Sequence, residues 1–203
     1  VNLALALKLE PQLPRLIKEV VLMAGTVIEP GNVSPVAEAN VWNDPHAADL
    51  VFTAGWKLAM VGLDVTHRVV MGASYFAGLA QHHHQHIAMS TLSHAVNFYS
   101  DFYQTARPDL GHACFCHDIL AFVYLVAPEL FQVMDGRVRV QLDGLGNGQT
   151  MMDRHGGGLV YAQTGWEHHQ AETRVCLQVD APACLTLIEK TLEANWLRAP
   201  LAQ

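Results

Sequence analysis

Basic residues are scarce in this chain: Lys and Arg number 12 against 19 Asp and Glu, a net charge of −7 over 203 residues. A nucleic-acid binder needs a basic face to neutralise phosphates, so no nucleic-acid partner is expected. Long apolar runs are missing as well. Each candidate is cut by Lys, Glu, Asp or Pro before it could span a bilayer, and no membrane partner is expected either. Only four cysteines occur, as Cys114-x-Cys116, Cys176 and Cys184. That is neither a secreted disulfide framework nor a C-x₂-C zinc pattern; it predicts reduced, mostly buried thiols in a cytoplasmic protein. Gly-x-Gly-x-x-Gly does not occur, and Gly156-Gly157-Gly158 leads into a strand-like run, which argues against a dinucleotide binder. The opening Val-Asn-Leu-Ala-Leu-Ala-Leu has neither the basic start nor the cleavage site of a signal peptide. With no initiator Met and helical spacing already running from Asn2 to Leu9, an N-terminally truncated chain is the expectation.

What is present suits a packed core. Apolar residues make up 51% and charged residues 15%, enough for one domain over residues 1–203 and too apolar for disorder. Leu3 to Leu9 and Leu13 to Lys18 read as short helical pieces. The continuous run Val20 to Ala24, closed by Gly25, reads as a strand buried on both faces. Asp44 and Pro45 start a helix that ends at Gly55, and Leu58 to Leu63 is a second buried strand. Strand, loop, helix, strand is the alternation of an open α/β sheet, mostly parallel and flanked by helices. Ile87 to Tyr103 is helical, with Ala88, Leu92, Ala95, Phe98 and Phe102 as its apolar face. Asp109 to Cys116 reads as loop, and Asp118 to Val126 as a helix apolar nearly all round. Phe131 to Leu142 and Met151 to Gln163 alternate as strands of a C-terminal hairpin, with turns at Asp135-Gly136 and Asn147-Gly148. Arg174 to Val179 is a last strand and Cys184 to Leu197 a closing helix.

The chemistry-bearing residues gather after the first strand. Glu38 and Asn40 stand two apart, which in an extended segment points both to one side. With Asn32 they bring two amides and a carboxylate to the crevice beyond the strand ends, where open α/β sheets bind ligands. Amides that donate and accept, beside a carboxylate that accepts from paired hydroxyls, suit a sugar. Glu38 reads equally as a solvated loop residue and Asn40 as a turn former. Asp118 is either a helix cap or a ligand for a hard cation, and His117 beside it could protonate a leaving group. Tyr99 and Tyr103, four apart, are either packing or ligand-facing, and Met23 is most simply core. Asp64 and His67 either line the crevice or bond the turn. The tracts from Gln81 to His86 and Glu167 to His169 read as exposed runs rather than metal sites.

Taken together, Val21-Leu22-Met23-Ala24-Gly25, Glu29-Pro30-Gly31-Asn32, Ala37-Glu38-Ala39-Asn40, Asn43-Asp44-Pro45, Val61-Gly62-Leu63-Asp64-Val65-Thr66-His67 and His117-Asp118 resemble the inosine-uridine preferring nucleoside hydrolases. The resemblance implies a Rossmann-like core and calcium-dependent hydrolysis of the N-glycosidic bond of ribonucleosides to ribose and free base. By it, Asn32, Glu38 and Asn40 are ribose partners with Met23 near the sugar. Asp118 and the Val1 carbonyl are calcium ligands, and His117 is the acid for the leaving base. Tyr99 and Tyr103 are aromatic partners of the base. It implies a cytoplasmic homo-oligomer, dimer or tetramer, acting on a small-molecule ribonucleoside. The family's Asp-x-Asp-Pro-Gly-x-Asp-Asp motif has no match here, Ala39 stands where an aromatic is common, and Ile119 replaces a proline. The alternative expectation is a truncated, non-catalytic relative retaining only a ribose- or nucleoside-binding loop.

Overall fold

In the computed structural model, which describes residues 1–83, 87–155, 166 and 171–194, the first apolar spacing forms helix α1 (Asn2–Leu9). It stops before Pro11, and a single further turn, α2 (Leu13–Leu16), leads to strand β1 (Val20–Met23). The loop after β1 ends in α3 (Ala39–Asn43), and α4 (Pro45–Phe52) starts as expected, with Asp44 accepting the Ala47 amide and Pro45 in the first turn. Next come β2 (Leu58–Val61), the single turn α5 (Leu63–Thr66), β3 (Val70–Gly72), α6 (Ala73–His82) and α7 (Ile87–Ala106). Then follow β4 (Ala113–Phe115), α8 (His117–Val126), β5 (Phe131–Val140), β6 (Thr150–Asp153), β7 (Thr173–Val179) and α9 (Ala181–Leu192).

Two compact units share the chain: Val1–Thr66 with His117–Val179, and His67–Cys116 with Asp180–Gln203. The first holds a five-stranded sheet in the order β1-β2-β7-β5-β6. β1, β2 and β7 run parallel, and β5 and β6 extend the sheet as an antiparallel hairpin. Alternate residues of β2 serve opposite faces. Leu58 and Met60, with Val138 and Val175, pack with Val51 and Phe52 of α4, while α5 and α8 supply the remaining cover of this unit. Asp49 of α4 is clamped to β5 by the Arg139 guanidinium at 2.8 and 2.9 Å and by the Val140 amide at 3.0 Å. Helices around a parallel core make this the expected open α/β architecture, and β7, the last strand among the described residues, is central in the sheet.

Several local expectations are corrected. β1 is not buried on both faces: among the described strands it pairs only with β2, so Val21, Leu22 and Met23 are half-buried at an edge. Asp135-Gly136 is not a turn but lies inside β5, and a Cβ on Gly136 would meet Met152 Cε at 2.6 Å and Asp153 O at 2.7 Å. That glycine serves close strand approach. The hairpin instead closes at Asn147-Gly148, where Asn147 (φ −49°, ψ 125°) and Gly148 (φ +79°) match a type II turn. α8 is not buried all round; Leu120, Val123 and Tyr124 face the core while Phe122, Leu125 and Val126 are exposed.

The second unit contains the antiparallel pair β3 and β4, so part of the expected loop 109–116 is a strand. Its long helix α7 buries Met89, Ser93, Ser100 and Tyr103, and leaves Phe98 and Phe102 79% and 58% exposed. Of the expected apolar stripe, Leu92 packs against the Leu79 and Met89 cluster, whereas Ala88, Ala95, Phe98 and Phe102 are exposed. Residues 156–165, which include the Gly156-Gly157-Gly158 run, lie outside the described residues, as does 195–203, the end of the expected closing helix.

Candidate functional site

The site begins where β1 ends. Gly25 has φ +71°, and a Cβ there would stand 2.8 Å from Thr150 Cγ2, so the position demands glycine on two counts. This turn presents the Gly25 N–H to Glu38 Oε2 at 2.8 Å. Glu38 is 98% buried and caps α3: Oε1 accepts the Asn40 amide at 2.8 Å and Oε2 the Val41 amide at 3.2 Å. Burial pushes the Glu38 carboxyl above its ordinary range, the three amides pull it back in part, and the charge of Asp118 pushes it up again. Glu38 and Asp118 thus lie within electrostatic reach of one another in the same unit.

The extended i, i+2 reading of Glu38 and Asn40 is corrected here. Glu38 has extended backbone, but Asn40 already belongs to α3. They meet through the cap, and the Asn40 side chain turns back to β1, its Nδ2 lying 3.2 Å from Met23 O and 3.5 Å from Met23 Sδ. Asn32 closes the loop from below, with its Oδ1 accepting the Ala39 amide at 3.0 Å. Beside this junction opens a cavity of about 430 Å³, lined by Val1, Met23, Ala24, Asn40 and Asp44 among others. That volume lies within the range of ordinary small-ligand sites.

The other candidates of this unit, His117 and Asp118, lie on α8 and are not among the residues that line the cavity. His117 opens the helix, and its Nδ1 lies 2.9 Å from Thr66 Oγ1. Asp118 is the second helical residue, so it is a first-turn carboxylate favoured by the helix dipole rather than the cap. Asp64, left open by the sequence, bonds the loop after β1. Fully 98% buried, it accepts the amides of Val27 (2.9 Å), Ile28 (2.7 Å) and Glu29 (3.0 Å). Thr150 adds a further hold, accepting the Thr26 amide at 2.9 Å and donating to the Thr26 carbonyl. Thr66 and Thr150 were missed by sequence reasoning. Thr66 lies inside the Asp64-Val65-Thr66-His67 run, where Asp64 and His67 drew the attention, and Thr150, after Gln149, has no local signal of its own.

Tyr99 and Tyr103 belong to the second unit. Their hydroxyls lie 3.2 Å apart, and Tyr103 is buried edge-on against Phe115 with centroids 5.2 Å apart. Burial drives the Tyr103 phenol up, with the Tyr99 hydroxyl adding to the effect. His67 stacks on Phe115 at 4.4 Å within that unit. His82 Nδ1 lies 2.8 Å from Gly78 O; His84 to His86 and Glu167 to His169 lie outside the described residues.

A calcium ion takes six to eight oxygen ligands. Among the described residues, no group of three or more His, Cys, Asp or Glu could hold a metal ion. Glu38 already accepts three backbone amides, and the Val1 carbonyl accepts the Leu5 amide at 2.9 Å as the head of α1. Asp118 and the Val1 carbonyl by themselves supply too few oxygens for calcium.

Comparison with known proteins follows the same residues. The profile of the family described as inosine-uridine preferring nucleoside hydrolase matches residues 1–186. A probable uridine nucleosidase 1 of Oryza sativa is 35% identical over 195 residues, covering 95% of this chain and 58% of the relative. The inosine-uridine preferring nucleoside hydrolase of Leishmania major is 35% identical over 153 residues, covering 75% of this chain and 47% of its own. Among solved structures, the plant nucleoside hydrolase PpNRh1 superposes with a TM-score of 0.84 at 30% identity, covering 95% of this chain and 59% of that one. A purine-preferring ribonucleoside hydrolase from Gardnerella vaginalis gives a TM-score of 0.80 at 30% identity, with coverage of 94% and 57%. The chain spans about half the length of the curated relatives it matches.

Proposed function

Because this chain belongs to the inosine-uridine preferring nucleoside hydrolase family, we propose that it is an N-ribosyl hydrolase chain whose residues grip the ribose and protonate the departing base. The observation that carries the reading is a ligand-sized cavity lined by Met23 and Asn40, with the Asn40 side chain held to Met23 and its backbone amide held by the buried Glu38. A carboxylate offers about four acceptor directions. Glu38 spends three on backbone amides, two of them at Oε2, and Oε1 keeps capacity for a sugar hydroxyl. Asn32 and Asn40 add amide groups that both donate and accept.

In the reaction, the C1′–N bond breaks and its electron pair leaves with the base. His117 gives its proton to a base nitrogen, water adds hydroxyl to C1′, and the water's remaining proton balances the one His117 gave up. Charge builds on an oxocarbenium-like sugar, as in glycoside hydrolysis generally. Glu38, already held by three N–H groups, is a preorganised negative charge close to that cation. Tyr99 and Tyr103 are proposed as aromatic partners of the base on the strength of the family alone. The reading takes residues 1–203 as one partial nucleoside hydrolase-like domain in a cytoplasmic homo-oligomer. No helix among the described residues is long and apolar enough to cross a membrane.

A second reading, ribose or nucleoside binding without hydrolysis, is favoured by the donor set, which does not suit calcium. One experiment separates the two. The purified chain is titrated with ribose, inosine and uridine by calorimetry, and free base is followed by chromatography. Binding with base release supports the hydrolase; binding alone supports the second reading; no binding of any of the three sinks both.

A further inference from the structure

The one-turn helix α5 is pinned at the centre of the first unit. All four of its residues are buried, the Leu63 amide donates to Gly25 O at 3.0 Å, and the Val65 and Thr66 amides donate to Gly62 O. Gly62 itself admits no side chain, since a Cβ would stand 2.6 Å from Gly25 O. From this fixed turn two polar side chains leave in different directions. Residues two apart on a helix do not share a face; at 3.6 residues per turn they diverge by about 200°. Asp64 reaches the loop that follows β1 and collects three successive amides there, while Thr66 reaches the His117 ring.

We propose that Asp64 and Thr66 are positioning residues, and that α5 holds the sugar-gripping loop and the leaving-base acid to one common frame. This deepens the hydrolase reading and rests on it for the roles of the two parts it connects. Asp64 gathers Val27, Ile28 and Glu29 so that the chain running on to Asn32 and Glu38 has a single course. Three consecutive amides on one buried carboxylate leave that loop no alternative partner of equal strength. Thr66 commits Nδ1 of His117 and sets the rotation of the ring, so a proton passed to the base travels through Nε2. An ångström of misplacement in such a group costs as much as ~100-fold in rate. The two anchors divide the work: Asp64 governs sugar binding and Thr66 governs proton delivery.

The test uses the full chain in four forms: wild type, Asp64→Asn, Thr66→Val and Thr66→Ser. Substrates are inosine, which needs its base protonated, and a nitrophenyl riboside, which does not. Thr66→Val should lower kcat on inosine about tenfold or more with KM within about twofold, spare the nitrophenyl riboside, and be rescued by Thr66→Ser. Asp64→Asn should raise KM for both substrates about tenfold. Two readouts do not need turnover. Asp64→Asn should speed hydrogen exchange at the Val27, Ile28 and Glu29 amides, and Thr66→Val should move the ¹⁵N resonances of the His117 ring. Equal losses on both substrates for Thr66→Val, or unmoved amides and ring nitrogens in the two variants, overturn the proposal. If the wild type neither binds nor cleaves nucleosides while the amides and ring nitrogens respond as stated, the nucleoside reading falls and the positioning role of α5 stands.

Discussion

Glu38 accepts the backbone amide of Gly25 across thirteen residues of chain, at 2.8 Å, and this one bond closes the loop between β1 and α3 on itself. Around it, the Asn40 and Val41 amides complete a buried carboxylate that is both helix cap and candidate ribose acceptor. Glu38→Gln replaces an acceptor oxygen with an NH₂ that opposes at least one of these donors. Leaving a buried amide unpaired costs ~1–3 kcal/mol. The variant should melt at lower temperature and bind ribose more weakly by calorimetry. An unchanged Tm together with unchanged affinity would remove Glu38 from the site.

Gly25 and Gly55 separate backbone strain from crowding. Both have positive φ, at +71° and +81°, but a Cβ at Gly55 meets nothing within 4 Å, while one at Gly25 meets the Thr150 methyl at 2.8 Å. Gly55→Ala should lose about 1 kcal/mol of unfolding free energy, the strain alone. Gly25→Ala should lose more, by about 1–3 kcal/mol for overpacking. Adding Thr150→Ser, which deletes that methyl and keeps the hydroxyl, should recover part of the excess in urea melts; strict additivity of the two changes would show that Thr150 is not the obstacle.

The cysteines predict a pH response. Burial raises the thiols of Cys116 and Cys176 to about 12 and that of Cys184 to about 11, against 9 for an unburied thiol. The folded state therefore holds thiol protons that the unfolded state releases first. Their contribution to stability is fully present below pH 9 and is lost as pH rises from 9 toward 11–12. Urea midpoints should fall progressively above pH 9, less steeply in a Cys116→Ala/Cys176→Ala double variant. Native protein at pH 8 should resist alkylation that goes to completion in urea.

Asp49 should be worth more than a surface ion pair. It takes both arms of the Arg139 guanidinium and the Val140 amide, joining α4 to β5 in a part-buried setting. Exposed pairs contribute ~0–1 kcal/mol. Asp49→Ala removes three acceptor contacts at once and should cost about 2 kcal/mol in chemical unfolding. Asp49→Asn, which keeps one acceptor oxygen, should fall between; an alanine variant as stable as wild type would reduce the clamp to a surface pair.

Much of the architecture was legible along the chain because it is written in local chemistry. Asp44-Pro45 starts a helix through a cap and a preset φ, Asn147-Gly148 turns a hairpin through a positive φ, and the β-branched run at Val20 forms a strand. The motifs at Asn32, Glu38, Asn40 and His117-Asp118 likewise marked the family, since residue order and spacing are properties of the chain itself. Periodicity also gave a helix over Ile87 to Tyr103, which the structure extends to Ala106, yet it favoured the side bearing Phe98 and Phe102. The packed side carries Ser93 and Ser100, small enough for neighbouring elements to approach closely.

The rest waited on folding because it joins residues far apart in sequence or depends on what lies opposite. Asp135-Gly136 has the composition of a turn, and only its pairing with Arg174 and Thr173 of β7 makes it the interior of β5. Thr150 meets Thr26 across 124 positions, and Thr66 meets His117 across 51; a buried threonine looks the same in sequence whether it holds a histidine ring, a loop or nothing. Local conformational preference belongs to each segment, whereas a hydrogen bond between segments exists only once burial has removed water as the competing partner.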